Sequence, residues 1–526
     1  MVLSFIMQSS PLRQIARAAG TVMVAFLITQ IIGVLRGILI YRTFGTSADL
    51  DSFNAANRVA ELLFNLMAGG ALGSAFIPTF TGLLAQERRA EAWKLASAIA
   101  NLLLLVLTLV AGLVALFAPQ VVRYGLFILA PDLPAGQEAL TVALLRIQLP
   151  TVVIFGLSGL VMGILNAHQR FWVPAIAPAM YSLGQIAGVL FLPAEWGIVR
   201  LAVGVLFGSL FHLLVQSPLL LRLGGSYSLV LGLRMREVRQ VMLLMGPRIL
   251  GVAVVQINFI ANTIIALSLP AGSVSAISLA FALMLMPQAA IAQSVAIAAL
   301  PTFSAQVALG RLDQLRHSLA GSLRGVLLLS IPAALGLIML RVPLVRFLYE
   351  GGEFTAASTR LVAWALLWYA AGLLGHAVVE ILSRTFYALH DTRTPVMVGV
   401  AAMSLNILLS LSLPAGFLRL GWAPHGGLAL ANSFATALEA IILLVLMRRR
   451  LGGLEGRRIA QAVWQATLAV LAMSLALLGW LRWAAALSPA WLTLGGVLLG
   501  AAVYLAMAAL LRVEELHMLL RRVLRR

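Results

Sequence analysis

Long apolar runs separated by short polar segments dominate the pattern of the chain. Runs of about 20 or more apolar residues recur along almost its whole length, which is the length that a helix needs to cross a bilayer. They are about twice as long as the strands of a membrane β-barrel and lack two-residue alternation. We therefore predict an all-α integral membrane protein with about fourteen transmembrane helices. The predicted spans are 20–43, 53–83, 92–117, 137–167, 172–194, 196–221, 240–269, 273–306, 314–340, 355–388, 394–415, 421–447, 459–482 and 488–511.

Composition supports this class. Of 526 residues, 61% are hydrophobic and only 10% are charged, which excludes an ordinary soluble protein. The net charge of +19 comes from arginines at the ends of apolar runs, not from one basic domain. We therefore expect no nucleic-acid partner. The chain has no cysteine, so it has neither disulfides nor a thiolate metal site.

The distribution of basic residues predicts the orientation. Arg88 and Arg89, the arginines at 448–450 and the tail at 512–526 fall on one side, which the positive-inside rule assigns to the cytoplasm. Both termini are then cytoplasmic. The N-terminal apolar patch has about six residues, too short for the core of a cleaved signal peptide.

An internal repeat divides the chain. AFIPTFT at 75–81 recurs as AALPTFS at 298–304, and ILNAHQRFWVP at 164–174 resembles FYALHDTRTP at 386–395. About six helices separate the matching segments, so the halves have the same orientation in the membrane. We predict an N-lobe at 1–222, a C-lobe at 223–450, and two extra helices with a basic tail at 451–526. Two parallel six-helix lobes around a central cleft indicate an alternating-access transporter. Two amphipathic segments, 119–129 and 342–350, are predicted to lie at the membrane interface.

Charged residues at membrane depth are the candidate site, because they usually face a cavity or a partner. Arg36 lies about 10 Å below the end of the first span at 1.5 Å per residue, and Asp51 enters the second span. Arg58 and Glu61 are three residues apart and can pair, and Asn65 continues their face.

The predicted helix at 240–269 also carries polar residues along one face. It begins with GPRILGVAVVQINFIAN, which includes Arg248 and Gln256. Glu380 and Arg384 are spaced for a salt bridge, and an interhelical hydrogen bond is the expected role of His376 and of His212 with Gln216. No phosphate-binding loop, zinc-protease motif or metal-ligand cluster occurs, so we predict neither enzyme activity nor a bound metal.

Taken together, these segments resemble the MurJ (MviN) family of lipid II flippases, within the larger group of multidrug and polysaccharide-lipid exporters. The resemblance runs from about residue 20 to 511. It is carried by GVLRGILIYRTFG with DSF, GALGSAFIPTF, GILNAHQRFWVPAIAP, GPRILGVAVVQINFIANT, LYEGGEFT and RTFYALHDTRTP, in this order.

The resemblance implies a function and a location. Such a protein moves the undecaprenyl-pyrophosphate-linked peptidoglycan precursor from the inner to the outer leaflet of the bacterial cytoplasmic membrane. It has no cofactor, and it is driven by the membrane potential or by Na⁺ or H⁺. Its partners are the polyprenyl-pyrophosphate-linked glycan lipid, membrane lipids and cell-wall synthesis proteins. The last two helices, at 459–511, form a groove for the lipid tail.

Several charges of the family pattern are absent. Uncharged residues replace them at Gln30, Gly37, Phe64, Asn65, Gly69, Phe281 and Ala282. The cavity is then expected to be less cationic than is typical, with Arg36 and Arg248 supplying more of the positive charge.

Other functions stay open at this point. The transport alternative is export of another polyprenyl-linked glycan or of an amphipathic drug. The alternative from a different class is a scaffold that organises wall-synthesis proteins without transport. A membrane glycosyltransferase has the least support, because the outer loops lack an acidic catalytic cluster.

Overall fold

The computed structural model describes residues 11–67, 71–130 and 135–513. Side chains at 11–24, 26–27, 67, 71–74, 135, 247–248 and 250–251 are not part of this description. The described residues are helical almost throughout, and their β structure is limited to one isolated bridge between Gly351 and Phe354. The predicted all-α class is confirmed.

Eighteen α-helical segments are present in the described part of the chain, numbered here in order. They are α1 (Pro11–Phe44), α2 (Ala48–Met67), α3 (Ala71–Ala85), α4 (Arg89–Leu116), α5 (Ala118–Gln120), α6 (Ala135–Ala167), α7 (Trp172–Phe191), α8 (Val199–Leu214), α9 (Ser217–Leu221), α10 (Arg236–Leu267), α11 (Ser273–Gln288), α12 (Ser294–Ala308), α13 (Leu312–Tyr349), α14 (Ala356–Ala388), α15 (Arg393–Arg419), α16 (His425–Arg450), α17 (Gly456–Trp483) and α18 (Pro489–Leu510).

Eleven helices within the described residues are long and apolar enough to cross a membrane. They coincide with eleven of the fourteen predicted spans. Of the other three predictions, 20–43 lies within α1, 240–269 overlaps α10, and 53–83 corresponds to α2 and α3. The count of fourteen spans is therefore not confirmed, although each predicted segment contains helix.

Charge explains why α2 differs from the other segments. Its twenty residues include Asp49, Asp51, Arg58 and Glu61, which make a continuous lipid-facing span unfavourable. The predicted interfacial segment at 342–350 is also different, since it continues α13 instead of forming a separate helix.

Backbone geometry supports the internal repeat. Glu87 has φ 59° and Gly310 has φ 69°, and these left-handed residues occupy equivalent turns 223 positions apart. Gln169 and His390 both have φ 57° in the next pair of equivalent turns. Because such conformations are uncommon away from glycine, their recurrence at the sequence offset indicates that the two halves share a backbone plan.

The chain forms two compact units. The first ends at Ser268, and the second begins at Leu269. In the first, α6 contacts α2, α3, α4 and α8, α7 packs between α1 and α8, and α10 packs on α2 and α3. In the second, α14 contacts α11, α12, α13 and α16, while α17 and α18 pack on each other and on α13. Thus α6 and α14, which the repeat makes equivalent, each occupy the middle of a unit.

Helix α10 therefore packs with the first unit, although the sequence division places it in the C-lobe. The division at 1–222, 223–450 and 451–526 describes the repeat and stays a prediction. The basic tail beyond Val513 lies outside the described residues.

Glycines bring α7 and α8 unusually close. A Cβ added at Gly184 would lie 2.2 Å from Gly208 Cα, and one at Gly208 would lie 2.5 Å from the carbonyl oxygen of Tyr181. Only hydrogen side chains permit this approach, which is common between membrane helices. The contact holds the turn of α7 that carries Tyr181.

Candidate functional site

Arg36 lies on α1, which packs against α7. Its guanidinium carbon is 6.0 Å from the centre of the Tyr181 ring. The Nε atom is buried and has no hydrogen-bond partner among the described residues. One turn earlier, a Cβ added at Gly33 would meet no heavy atom of the described residues within 4 Å, so the described part of the chain leaves this face of α1 open. Arg36 is thus a membrane-depth cation whose Nε donor is unused among the described residues.

Glu61 belongs to the same neighbourhood. Tyr181 is within electrostatic range of both Arg36 and Glu61. The Glu61 carboxylate accepts hydrogen bonds from Arg58 Nη1 at 2.9 Å and from Asn57 Nδ2 at 2.8 Å. The predicted pair of Arg58 and Glu61 is confirmed, and it neutralises part of the charge on α2.

Arg58 also contacts α10. Its guanidinium carbon lies 5.0 Å from the centre of the Phe259 ring, in cation–π range. One turn before Phe259, Gln256 is 8% exposed, and its Oε1 atom has no hydrogen-bond partner among the described residues. Arg58 therefore lies at the contact between α2 and α10, and Gln256 is one turn earlier on α10.

For the remaining predicted site residues, the structure gives the position along a helix and, for two of them, the burial. Asp51 is buried in the first turn of α2, at 3% exposure, and Asn65 is half-buried two turns after Arg58. Arg248 lies within α10, but its side chain falls outside the described residues. Substrate binding by all seven residues stays a prediction.

An aromatic chain extends from the site into the first unit. The Phe155 ring lies 5.3 Å from Tyr181, 5.4 Å from His212 and 5.5 Å from Phe64, measured between centroids. His212 Nδ1 is 2.6 Å from Ser158 Oγ. These contacts connect four helices, and they give Tyr181 a packed wall behind the face that meets Arg36.

The predicted interhelical hydrogen bonds are confirmed. Ser158 Oγ also accepts a hydrogen bond from Gln216 Nε2 at 2.9 Å. In the second unit, His376 Nε2 donates to Asn432 Oδ1 at 3.2 Å. The predicted salt bridge between Arg384 and Glu380 is present at 2.9 Å.

Sequence reasoning missed Tyr181 and Glu439. Tyr181 carries no charge, so nothing in its own helix marked it. Glu439 is the lone acid in the apolar run LALANSFATALEAIILLVLM of α16, a signal that was available. It makes no ion pair or hydrogen bond with any described residue, and a Cβ added at Gly399 of α15 would lie 3.4 Å from its Oε1 atom.

Metal binding has no support in the part of the chain that is described. That part contains no group of three or more histidine, aspartate or glutamate side chains able to hold a metal ion. Independence from cofactors and metals stays a prediction.

The fold defines the class of protein. A solved multidrug-resistance MATE transporter of the MOP superfamily, in an inward-facing conformation, has a TM-score of 0.68 at 14% identity, covering 84% of this chain and 99% of that chain. A solved lipid II flippase MurJ, in an inward closed conformation, has a TM-score of 0.78 at 24% identity, covering 93% of this chain and 98% of that chain. The protein is a multi-pass membrane protein with the fold of MOP-superfamily transporters.

Sequence comparison gives the family. The family model described as "Lipid II flippase MurJ" matches residues 40–497. The lipid II flippase MurJ of Burkholderia cenocepacia is 30% identical over 442 residues, covering 82% of this chain and 84% of the relative. The probable lipid II flippase MurJ of Vibrio cholerae is 30% identical over 508 residues, covering 93% and 94%. The chain belongs to the MurJ family of lipid II flippases, and the resemblance seen in the sequence is confirmed.

Proposed function

We propose that this chain is an alternating-access flippase that moves lipid II from the inner to the outer leaflet of the bacterial cytoplasmic membrane. Arg36 carries the proposal at the residue level. It is a cation at membrane depth, beside open space, without an ion-pair partner among the described residues. Such residues in membrane proteins usually serve a ligand or an ion pathway.

The chemistry of Arg36 suits a pyrophosphate. A guanidinium stays charged at every physiological pH and offers parallel N–H donors to two phosphate oxygens. The Tyr181 ring lies beside its guanidinium carbon, so the tyrosine limits the orientations that the side chain adopts. A pre-oriented donor loses less conformational entropy when it binds. Arg36 and Tyr181 together form one wall of the proposed head-group site.

Arg58 contributes differently. Its pairing with Glu61 leaves little net charge, and its contact with Phe259 fixes it on α10. We assign Arg58, Glu61, Asn65 and Gln256 to shaping and hydrogen bonding, with Arg36 as the principal anion ligand. Asp51 and Arg248 remain proposed members of the site.

The direction of transport agrees with simple electrostatics. Moving one negative charge outward across a potential that is negative inside is favourable by about 2.3 kcal/mol per 100 mV. The membrane potential therefore lowers the free energy of a pyrophosphate head group as it moves outward. We propose the potential as the driving force, with Na⁺ or H⁺ coupling as the alternative.

Complementation tests the proposal. The wild-type chain is expressed in a bacterium depleted of its own lipid II flippase, and growth is measured together with the amount of the chain in the membrane. We expect wild-type rescue, no rescue by Arg36→Ala and partial rescue by Arg36→Lys, because lysine keeps the charge but not the planar donor pair. Arg419→Gln, at an exposed position at the end of α15, is the matched control and should rescue fully.

Three outcomes would contradict the proposal. Full rescue by a double variant, Arg36→Ala with Arg58→Ala, would remove the head-group assignment. Rescue without any lipid II transport in reconstituted vesicles would favour the scaffold alternative. Failure to rescue lipid II export, with rescue of another polyprenyl-linked glycan pathway, would change the substrate class.

A further inference from the structure

A cavity of about 510 Å³ lies in the second unit, where the last turns of α13 meet the start of α14 and the connection between α15 and α16. Arg341 and Arg360 line it, together with Val342, Leu361 and Trp364. Its volume falls in the range of sites for small ligands. The wall is mostly apolar, so the two arginines are its main polar feature.

The charges of these arginines are not balanced within the described residues. Arg341 Nη1 donates to the carbonyl oxygen of Ile338 on its own helix, and Arg360 is exposed. Neither forms an ion pair with a described carboxylate. The acid at the end of α13, Glu350, already accepts a hydrogen bond from Arg346 Nε at 3.0 Å. The cavity therefore holds two positive charges and attracts an anion.

The apolar wall is held in place by its own contacts. Trp364 Nε1 donates to the carbonyl oxygen of Ala423 at 3.0 Å, and its ring packs against Trp422 with centroids 5.7 Å apart. His425 Nε2 donates to the carbonyl oxygen of Leu361 at 2.9 Å. An aromatic surface that is already fixed favours a ligand with an apolar portion next to its charge.

The helical scaffold does not require the two arginines. At the repeat offset of 223 residues, the equivalents of Arg341 and Arg360 are Ala118 and Gln137. The first half is thus built on the same plan without this pair. Arginines are also scarce on the face that the sequence predicts to be outside, and two of them converge on this one cavity.

We propose that the cavity binds an anionic phospholipid of the outer leaflet. The two guanidinium groups hold the phosphate, and the glycerol and first acyl carbons lie along Trp364. At the membrane–water interface, arginine binds the lipid phosphate and tryptophan packs against the apolar part of the lipid. This site is separate from the residues around Arg36 and goes beyond the proposed flippase function.

Short-chain lipids test the site on the purified full chain in detergent. Binding of dioctanoyl phosphatidylglycerol, dioctanoylglycerol and inorganic phosphate is measured by the change in tryptophan fluorescence. We expect the phosphatidylglycerol to bind at least about tenfold more tightly than either other probe, because only it carries both parts of the ligand. The double variant Arg341→Gln with Arg360→Gln should lose this preference, whereas Arg419→Gln should keep it.

Each other outcome overturns the proposal. Equal binding of dioctanoylglycerol shows that the phosphate is not recognised, and equal binding of inorganic phosphate shows a site for a free anion. Unchanged binding in the double variant removes the arginines from the site. If the double variant does not fold, Arg360→Gln alone decides the question, because its exposed side chain is not needed for packing, and it should weaken binding about threefold or more.

Discussion

At the residue scale, the candidate site depends on which charges are already paired. Arg36 forms no ion pair with a described residue, whereas Glu61, the acid within range of the same tyrosine, is bonded to Asn57 and Arg58. The sequence showed both Arg36 and Glu61, and their spacing predicted the pairing of Glu61 with Arg58. It could not show that Tyr181 would lie beside Arg36, since that contact depends on how α1 packs on α7.

Glu439 gives a residue-scale prediction. A carboxylate in an apolar span without a counter-charge opposes folding, so Glu439→Gln should stabilise the protein by about 1 kcal/mol at pH 8. The measurement is the thermal unfolding midpoint of the purified chain, followed by tryptophan fluorescence.

Glu380→Gln is the matched control, because Glu380 forms a salt bridge with Arg384. Both residues lie on α14, which packs against the helix that carries Glu439. That variant should lower the midpoint. A lower midpoint for Glu439→Gln as well would show that Glu439 has a stabilising partner.

At the scale of elements, close packing and helix ends decide local stability. The α7–α8 contact requires glycine on both helices, since an added Cβ at Gly184 would meet backbone atoms. Hydropathy predicted both helices, but it carries no information on which face of each would meet the other. The glycines were visible in the sequence, and their role came only from the packing.

Gly184→Ala should destabilise the protein by roughly 2 kcal/mol or more, because the backbones must separate. It should also weaken lipid II binding, since the same contact positions Tyr181. Gly112→Ala in α4 is the control, as an added Cβ there meets no heavy atom of the described residues within 4 Å. Equal unfolding midpoints for the two variants would contradict the packing argument.

Asp391, between α14 and α15, gives a prediction about pH. Its carboxylate accepts hydrogen bonds from the backbone N–H of Thr394 at 3.0 Å, from the Thr394 hydroxyl at 2.8 Å, and from Arg450. These contacts lower the pKa of Asp391, the backbone hydrogen bond most of all. A carboxyl whose pKa is lower in the folded state stabilises the fold above its ordinary pKa, and this contribution is lost as the pH falls through the lowered value.

Asp391→Asn should therefore lower stability at pH 7 by up to about 1 kcal/mol. The difference from wild type should shrink below about pH 4. Unfolding midpoints at a series of pH values measure it. Asp313→Asn, whose side chain is 93% exposed, should show little difference at any pH. A constant effect of Asp391→Asn across the series would exclude the charge as its cause.

At the scale of the whole molecule, the repeat and the arginine distribution carry the organisation. Equivalent left-handed turns and equivalent central helices show that both units follow one plan. The orientation in the membrane is still a prediction from the positive-inside rule.

Single cysteines can test that orientation, because the chain has none of its own. Ser226→Cys, in the exposed segment before α10, should react with an impermeant thiol reagent only after the cells are opened. Ser488→Cys, exposed between α17 and α18, should react in intact cells. The reverse pattern would place both termini outside and would move the proposed lipid cavity to the inner leaflet.

The sequence by itself determined the helical membrane class, the repeat, the family and the charged candidates, because hydropathy and charge spacing act along the chain. The tertiary structure decided which candidates are neutralised, which helices approach closely, and that Tyr181 lies beside Arg36. It also assembled the cavity around Arg341 and Arg360 from helix ends that are distant in sequence. Lateral contacts between helices arise from the fit of side chains on facing surfaces, and apolar periodicity alone does not specify that fit.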